Sequence, residues 1–204
     1  MAIISNAVTI ADAGAFSVGL GSQVLIKTLT ASSSATLSFL NGSDSVVFDG
    51  TYPIYRFEFI NIHPASASNF TFQVDTGTNT SFNIAVTSTV FEAKHTENDG
   101  ETQFRYKADD DQAQGTAFQK IALGVGAAAD SNCCGELTIF NPSSTTFVKN
   151  FIGSTNNVKD DDQSNNLSTA GYFNTTTALT RVRFKMASGN IDSGKIKLYG
   201  IKDS

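Results

Sequence analysis

Charged residues are scarce in this sequence, and those present do not favour a nucleic-acid partner. Only 16% of the 204 residues are charged, and 14 basic residues stand against 19 acidic ones, for a net charge of −5. Proteins that neutralise phosphate backbones need clustered lysine and arginine. We therefore expect that the protein binds no nucleic acid.

Long apolar runs and separated cysteines are also missing. No stretch approaches the roughly 20 apolar residues of a membrane-spanning helix, and residues 1–20 lack the basic start and unbroken apolar run of a secretory signal. The cysteines, Cys133 and Cys134, are adjacent, and consecutive Cα atoms about 3.8 Å apart are too close for an unstrained disulfide. We expect free thiols in a loop, no membrane partner, and synthesis in a cytoplasm without Sec-type export.

Catalytic and metal-binding patterns are absent as well. The two histidines, His63 and His95, have no second histidine or cysteine at a spacing typical of metal sites. No serine lies in a nucleophile-elbow pattern, and the glycine pairs lack the lysine of a phosphate-binding loop. We expect His63 to bond to backbone and His95 to lie in a solvated loop. We therefore predict a non-enzymatic protein with no catalytic, cofactor-binding or metal-binding residues.

Two acidic triplets leave one alternative open. They are residues 109–111 and 160–162, each made of three aspartates. Calcium takes carboxylate and carbonyl oxygens from loops, so either triplet can contribute to a site. Their spacing does not match an EF-hand loop, and three consecutive side chains cannot all converge on one ion. Whether the acidic loops at Asp109 and Asp160 bind calcium is therefore left undecided by the sequence.

Alternating runs account for most of what the sequence does contain. Hydrophobic residues make up 40% of the chain, with 16 Phe and no Trp, so we expect phenyl rings to fill the core. Tyr55, Phe57 and Phe59, for example, share one face of a predicted strand, opposite polar side chains. About ten such runs, separated by turn residues, are at the spacing typical of a sandwich or barrel. They lie at residues 24–30, 35–39, 55–59, 70–74, 82–86, 90–91, 104–106, 121–123, 137–139 and 147–151.

These runs predict an all-β protein with one main domain. Residues 22–204 are predicted to form a single jelly-roll-like antiparallel β-sandwich. Residues 1–21 are predicted to form an extended N-terminal arm, because their short apolar residues have no periodic face and such segments often order only against a neighbour.

The clearest alternation lies at the end of the chain. Val182, Phe184 and Met186 alternate with basic residues, and after a turn-rich segment Ile196 and Leu198 do the same. We predict that these two runs form a β-hairpin with one dry face, whose basic stripe, residues 181–197, is its wet side. The chain would then close with no tail for a helix or a membrane anchor.

Three long polar segments are predicted to be surface loops. They are residues 96–103, 109–119 and 154–167. Loops on a rigid sandwich are where contacts with partners usually lie, so we expect a functional surface there.

Several segments together resemble a known group of proteins. They are residues 29–39 (LTASSSATLSF), 59–65 (FINIHPA), 135–149 (GELTIFNPSSTTFVK) and 188–202 (SGNIDSGKIKLYGIK). The combination resembles uncharacterised virion-associated structural proteins of marine tailed bacteriophages, and the resemblance spans most of the chain. It implies a location in the virion after assembly in the host cytoplasm, but it carries over no functional residues.

The resemblance and the composition favour a structural role. We expect a protein that decorates the capsid or forms part of the tail through self-association, as a homo-oligomer and most simply a trimer, with other virion proteins as partners. The alternative is a glycan-binding receptor-recognition module of a tail fibre that binds a host surface glycan, although the lack of Trp counts against it. Its available rings would be Tyr52, Tyr55, Tyr106, Tyr172 and Tyr199. An enzyme such as a depolymerase comes third, since it needs a carboxylate pair that the sequence does not place together.

Overall fold

The computed structural model describes residues 22–203 with their side chains, together with the backbone of three short strands near the N-terminus. These are β1 (Ile3–Ser5), β2 (Val8–Asp12) and β3 (Ala15–Phe16), which form an antiparallel three-stranded sheet in the order β1-β2-β3. Apart from these strands, the predicted N-terminal arm of residues 1–21 lies outside the described residues, and the described strands pair with one another instead of forming one extended segment.

All regular structure in residues 22–203 is β-strand. The strands are β4 (Gln23–Thr30), β5 (Leu37–Leu40), β6 (Ile54–Pro64), β7 (Ser68–Thr76), β8 (Val86–Thr96), β9 (Thr102–Tyr106), β10 (Ala113–Gly115), β11 (Gln119–Val125), β12 (Cys133–Phe140), β13 (Lys149–Val158), β14 (Gln163–Phe173), β15 (Leu179–Met186) and β16 (Ile191–Ile201). The predicted all-β class is confirmed.

These strands form two antiparallel sheets. The large sheet has nine strands in the order β10-β8-β14-β13-β12-β6-β16-β4, with β9 paired to β8 beside β10. The small sheet has four strands in the order β11-β7-β15-β5. The chain passes back and forth between the sheets, because β4, β6, β12 and β16 belong to the large sheet while β5, β7, β11 and β15 belong to the small one.

Phenyl rings fill the space where the two sheets face each other. Phe184 on β15 lies 5.2 Å from Phe57 and 5.3 Å from Phe59, both on β6, measured between ring centroids. Phe70 on β7 lies 5.2 Å from Phe59, and Phe72 lies 5.1 Å from Phe151 on β13. The edge-to-face and tilted contacts are those that aromatic quadrupoles prefer. The prediction of a phenylalanine-filled core is confirmed.

A second part of the interior is polar, where the large sheet extends past the edge of the small one. β11 is the edge strand there, and side chains from β13 and β14 bond to its carbonyl oxygens. Thr155 donates to the Ile121 carbonyl, Asn157 Nδ2 donates to the Leu123 carbonyl at 3.1 Å, and the Thr169 hydroxyl donates to the Lys120 carbonyl at 3.4 Å. Buried carbonyls at a sheet edge need donors, so this edge is satisfied by side chains instead of a further strand.

The predicted C-terminal hairpin is wrong. β15 pairs with β7 and β5 in the small sheet, whereas β16 pairs with β6 and β4 in the large sheet. The predicted dry faces are confirmed, since Phe184 and Leu198 are fully buried. Alternation shows which face of a strand is buried but does not identify its neighbour, and here the two dry faces meet across the interior.

The basic stripe consequently divides between the two outer surfaces of the sandwich. Arg183 lies over the ring of Phe82 at 3.9 Å and Lys185 lies over the ring of Phe118 at 5.1 Å, both on the small sheet. Burial lowers the pKa of the Arg183 guanidinium. The prediction of one wet basic face is therefore wrong for these side chains, which are half-buried against aromatic rings.

Other local predictions need correction. Residues 154–167, predicted as a loop, belong mostly to β13 and β14. The prediction failed because most of their inward side chains are polar and give no hydrophobic alternation. Phe82 and Ile84 precede β8 instead of forming a strand, and Phe82 has a left-handed φ of 49°. Phe147 lies before β13 and is exposed, so it does not share a buried face with Phe151.

Candidate functional site

The outer face of the large sheet carries an uncharged surface across β13, β14, β8 and β9, which we call the neutral strip. Strand alternation directs these side chains away from the core. Its members are Asn150, Ile152, Ser154 and Asn156 on β13, Ser164, Asn166, Ser168, Ala170 and Tyr172 on β14, Thr87, Thr89, Phe91 and Ala93 on β8, and Phe104 and Tyr106 on β9.

Register places these residues in rows that cross the strands. One row runs through Ser154, Ser168, Phe91 and Tyr106. The row beside it ends at Phe104, which pairs with Ala93 on β8. The strip therefore places hydroxyl and amide groups directly beside aromatic rings.

Three aromatic rings stand at the β8–β9 end of the strip. Phe91 and Phe104 are stacked, with ring centroids 6.2 Å apart and planes 7° from parallel, and Phe104 is 77% exposed. Tyr106 contacts the Phe91 ring edge-to-face at 5.3 Å. The Tyr106 hydroxyl donates to Asp111, and that hydrogen bond raises the tyrosine pKa. The rings form an exposed, ordered aromatic surface.

A shallow depression lies on the same face as the rings, with Thr89, one row from Phe91, in its lining. It has a volume of about 440 Å³ and is lined by Thr87, Thr89, Ile152, Ala170 and Tyr172, among others. Ile152 is 56% exposed at its floor. The lining is apolar and hydroxyl-bearing, so the depression can take a group that combines apolar surface with hydrogen-bonding atoms.

A second surface lies at the opposite edge of the large sheet, which we call the β4 groove. It is about 490 Å³ in volume and lies between β4 and the segment that follows β5, with Leu25, Ile26, Val47 and Tyr52 in its lining. Leu25 is 51% exposed. β4 is the last strand in the order of its sheet, and no strand within residues 22–203 pairs with its other side.

In the first acidic triplet, residues 109–111, the central aspartate is ion-paired to two lysines. Asp110 is buried and its carboxylate lies 2.5 Å from Lys120 Nζ and 3.2 Å from Lys107 Nζ. Its neighbour Asp111 accepts from Tyr106, so the triplet does not converge.

The second triplet is used in loop structure. Asp160 accepts a hydrogen bond from the backbone N–H of Ala127 at 2.7 Å, and Asp161 accepts one from Gln163 Nε2 at 2.8 Å. Within the part of the chain whose side chains are described, no group of three or more His, Cys, Asp or Glu is placed to hold a metal ion.

The histidines and cysteines have local structural partners. His63 Nδ1 lies 2.8 Å from the Ser131 carbonyl, as predicted. His95 is exposed but lies in β8, so the prediction of a loop is wrong, and its Nε2 lies 3.0 Å from Asp99 in the turn that follows. Cys133 and Cys134 are free, as predicted, but they begin β12 and do not lie in a loop. Burial raises the pKa of the Cys133 thiol, which makes it unreactive.

The tyrosines predicted as available rings for a glycan differ in their exposure. Tyr55 is fully buried and donates to the Val47 carbonyl at 2.7 Å, and burial raises its pKa to about 12. Including Tyr55 among the available rings was therefore wrong. Tyr106 is exposed on the neutral strip, and Tyr172 is partly exposed there.

Sequence reasoning missed the neutral strip for two reasons. In residues 154–167 most inward and outward side chains are both polar, so the sequence shows no hydrophobic alternation and β13 and β14 were not recognised there. Around β8 and β9 the usual assignment is reversed: Glu92 points inward, ion-paired to Arg105 at 2.7 Å, while Phe91 and Phe104 point outward. The spacing of Phe104 and Tyr106, two residues apart beside a turn, was the available signal.

Comparisons with protein-family models, with curated proteins and with solved structures find no match. Among the described residues there is also no helix long and apolar enough to cross a membrane. The geometry offers two candidate binding surfaces, the neutral strip and the β4 groove.

Proposed function

We propose that this protein is a non-enzymatic structural component of a tailed-phage virion, which decorates the capsid or forms part of the tail through self-association. The resemblance of four segments to virion-associated proteins supports this role, as does the low-charge, hydroxyl-rich surface. Its partners are other virion proteins and further copies of itself, most simply as a trimer, and it is assembled in the host cytoplasm.

We also propose that the sandwich is a jelly roll. Eight strands, taken as β4, β5, β6, β7, β11, β12, β15 and β16, alternate between the sheets and give the orders β4-β16-β6-β12 and β5-β15-β7-β11. A jelly roll consists of two Greek keys in this arrangement of eight strands. The remaining strands β8 to β10 and β13 to β14 are then insertions that widen one sheet. Jelly rolls occur in viral capsid and lectin domains, so the fold agrees with the role without establishing it.

The observation that carries self-association is the β4 groove. An edge strand exposes backbone N–H and C=O groups that readily pair with another chain. Here that edge adjoins exposed Leu25 and Val47, so a strand added at β4 gains both main-chain hydrogen bonds and apolar burial.

The proposed occupant is the arm of a neighbouring copy, residues 1–21. This segment contains Ile3, Ile4, Val8 and Ile10, and it runs directly into β4, which lines the groove. Because this segment is joined to β4, it lies next to the groove of its own subunit and can reach the equivalent groove of an adjacent subunit in a symmetric ring. Repetition of that contact closes the oligomer.

The test is the mass of the purified full-length protein by light scattering, followed by mixing with phage particles stripped of it. We expect a symmetric oligomer that rebinds the particles. Leu25→Lys should reduce it to a monomer, whereas Ile152→Lys, a matched change at an exposed residue on the neutral strip, should leave the mass unchanged. A wild-type monomer that ignores stripped particles contradicts the proposal.

A further inference from the structure

We propose that the neutral strip is a saccharide-binding surface that takes an uncharged oligosaccharide, with the Phe91–Phe104 pair as its stacking platform. This activity goes beyond the structural role proposed above and uses a different surface from the β4 groove.

The first step of the argument is the aromatic geometry. A saccharide ring presents a face of C–H groups, and their slight positive charge is attracted to the negative face of an aromatic ring. Phe104 is 77% exposed and is held nearly parallel to Phe91. Tyr106 supports the pair edge-on and is itself fixed through its hydroxyl by Asp111. The platform is therefore ordered before any ligand arrives, which reduces the entropic cost of binding.

The second step is the distribution of hydrogen-bonding groups. Ser168 pairs with Phe91 across the strands, and Asn166 pairs with Ala93 in the row that ends at Phe104. Ser154 and Asn156 continue those two rows onto β13. Asn166 Nδ2 already donates to the Thr155 carbonyl and Asn156 Oδ1 accepts from Ser164, so these two amides are held in place while their other polar atoms, with the Ser154 and Ser168 hydroxyls, lie in line with the rings.

The third step is charge. No Lys, Arg, Asp or Glu is a member of the neutral strip, and the groups that border it are Asp111 at Tyr106, His95 beside Ser164 and Glu136 beside Ser154. A sulfated, phosphorylated or sialylated glycan would find no Lys or Arg on the strip and a carboxylate at each end of the row through Phe91, Asp111 at one end and Glu136 at the other. This pattern selects an uncharged saccharide.

The spacing of apolar groups argues against a protein partner at this face. Ile152 lies two strands and one row away from Phe91, and Ala170, Ser168 and Thr89 lie between and around them. The energetic centre of a protein interface is a contiguous, fully desolvated cluster. The strip instead has two separate apolar groups, the three rings with Ala93 and the pair Ile152–Ala170, and the hydroxyl groups of Ser168 and Thr89 lie beside both, which suits a ligand that carries hydroxyl groups along its length.

The experiment is a glycan array of neutral and anionic oligosaccharides, followed by calorimetric titration of the full-length protein with the neutral glycan that gives the highest signal. We expect neutral glycans to bind, and Phe104→Ala to weaken binding about tenfold, the effect of losing one aromatic contact. Phe147→Ala is the matched control, because Phe147 is 68% exposed but lies off the strip, and it should bind as wild type. Ser168→Arg, which leaves the rings intact, should also weaken binding.

Melting temperature and light-scattering mass are measured on the same preparations. An unchanged mass in Phe104→Ala, with weakened glycan binding, supports the strip as a ligand surface separate from assembly. The proposal is overturned if no neutral glycan binds, if anionic glycans bind better, or if Phe104→Ala and Phe147→Ala behave alike. It is also overturned if Phe104→Ala dissociates the oligomer, since the strip is then an interface between copies.

Discussion

Between β6, β7 and β15 the interior is filled with phenyl rings, whereas between β11 and the β13–β14 pair it is lined with hydroxyl and amide groups. In the first region the two sheets meet face to face, so every inward side chain meets another side chain. In the second region the face of the large sheet meets the edge of the small one. Beside a small apolar cluster of Val90, Leu123 and Leu167, inward Thr155, Asn157 and Thr169 donate to backbone carbonyls, and an apolar side chain at those three positions would leave the carbonyls without donors.

The two regions should therefore respond differently to mutation. Loss of volume should dominate in the phenyl region, and loss of a single hydrogen bond should dominate in the polar region. The predictions below start with the largest expected effect.

Phe184→Ala tests the phenyl region. Its ring contacts Phe57, Phe59, Phe70 and Phe72, so truncation removes the centre of the aromatic cluster. We expect the free energy of unfolding to fall by about 3–5 kcal/mol, as for other buried Phe→Ala changes. Urea denaturation measures it, with the exposed Phe147→Ala as control. An equal loss in both variants would mean that the cluster does not dominate stability.

Thr155→Val tests the polar region with almost no change in volume. It removes the hydroxyl that donates to the Ile121 carbonyl and leaves that buried carbonyl without its partner. We expect a loss of about 1–3 kcal/mol, the cost of an unsatisfied buried polar group. The same denaturation series should show a much smaller effect for Thr138→Val on the outer face of β12. If Thr155→Val is as stable as wild type, the edge of β11 does not depend on side-chain donors.

Acid titration sharpens the comparison further, because a buried carboxylate, Glu92 on β8, lies beside the polar region and accepts a hydrogen bond from Asn165 on β14. Burial alone would raise the pKa of Glu92, but hydrogen bonds from Arg105 at 2.7 Å and Asn165 at 2.9 Å outweigh it, and the pKa is lowered. A carboxyl whose pKa is lower in the folded state stabilises the fold above its unfolded pKa, and this contribution is lost as the pH falls through the folded value.

We therefore expect the free energy of unfolding of the wild type to fall more steeply between about pH 5 and pH 3 than that of Glu92→Gln. Denaturation at a series of pH values measures the two slopes. Glu136→Gln is the control, since Glu136 is half exposed and its ion pair with Arg56 at 3.6 Å is screened by water. Parallel curves for wild type and Glu92→Gln would show that Glu92 does not link folding to pH.

The contrast between the regions also explains how far the sequence predicted the fold. Phe57, Phe59 and Phe184 alternate with polar residues, so their strands and buried faces were predictable. Thr155, Asn157 and Asn165 are buried because they satisfy polar partners, and a hydrophobic pattern cannot identify such positions. Pairing between distant strands, as for β15 and β16, was not predictable either, because alternation identifies a face without identifying a neighbour.

The candidate site was predicted only in its general location. The segment 154–167 and the β8–β9 turn were expected to carry contacts, and both contribute to or border the neutral strip. The outward orientation of Phe91 and Phe104 was not predictable, because aromatic residues in a strand are more often buried and the inward charge of Glu92 is satisfied by a residue on another strand.

The positions of the last two strands also determine when the protein can fold during synthesis. β15 lies between β7 and β5, and β16 lies between β6 and β4. Until residues 179–201 leave the ribosome, both sheets lack an interior strand and four earlier strands carry open edges. Such pairings between distant segments form slowly, and open edges promote aggregation in the meantime. Nascent chains of this protein should therefore depend on chaperones until the final strands complete both sheets together.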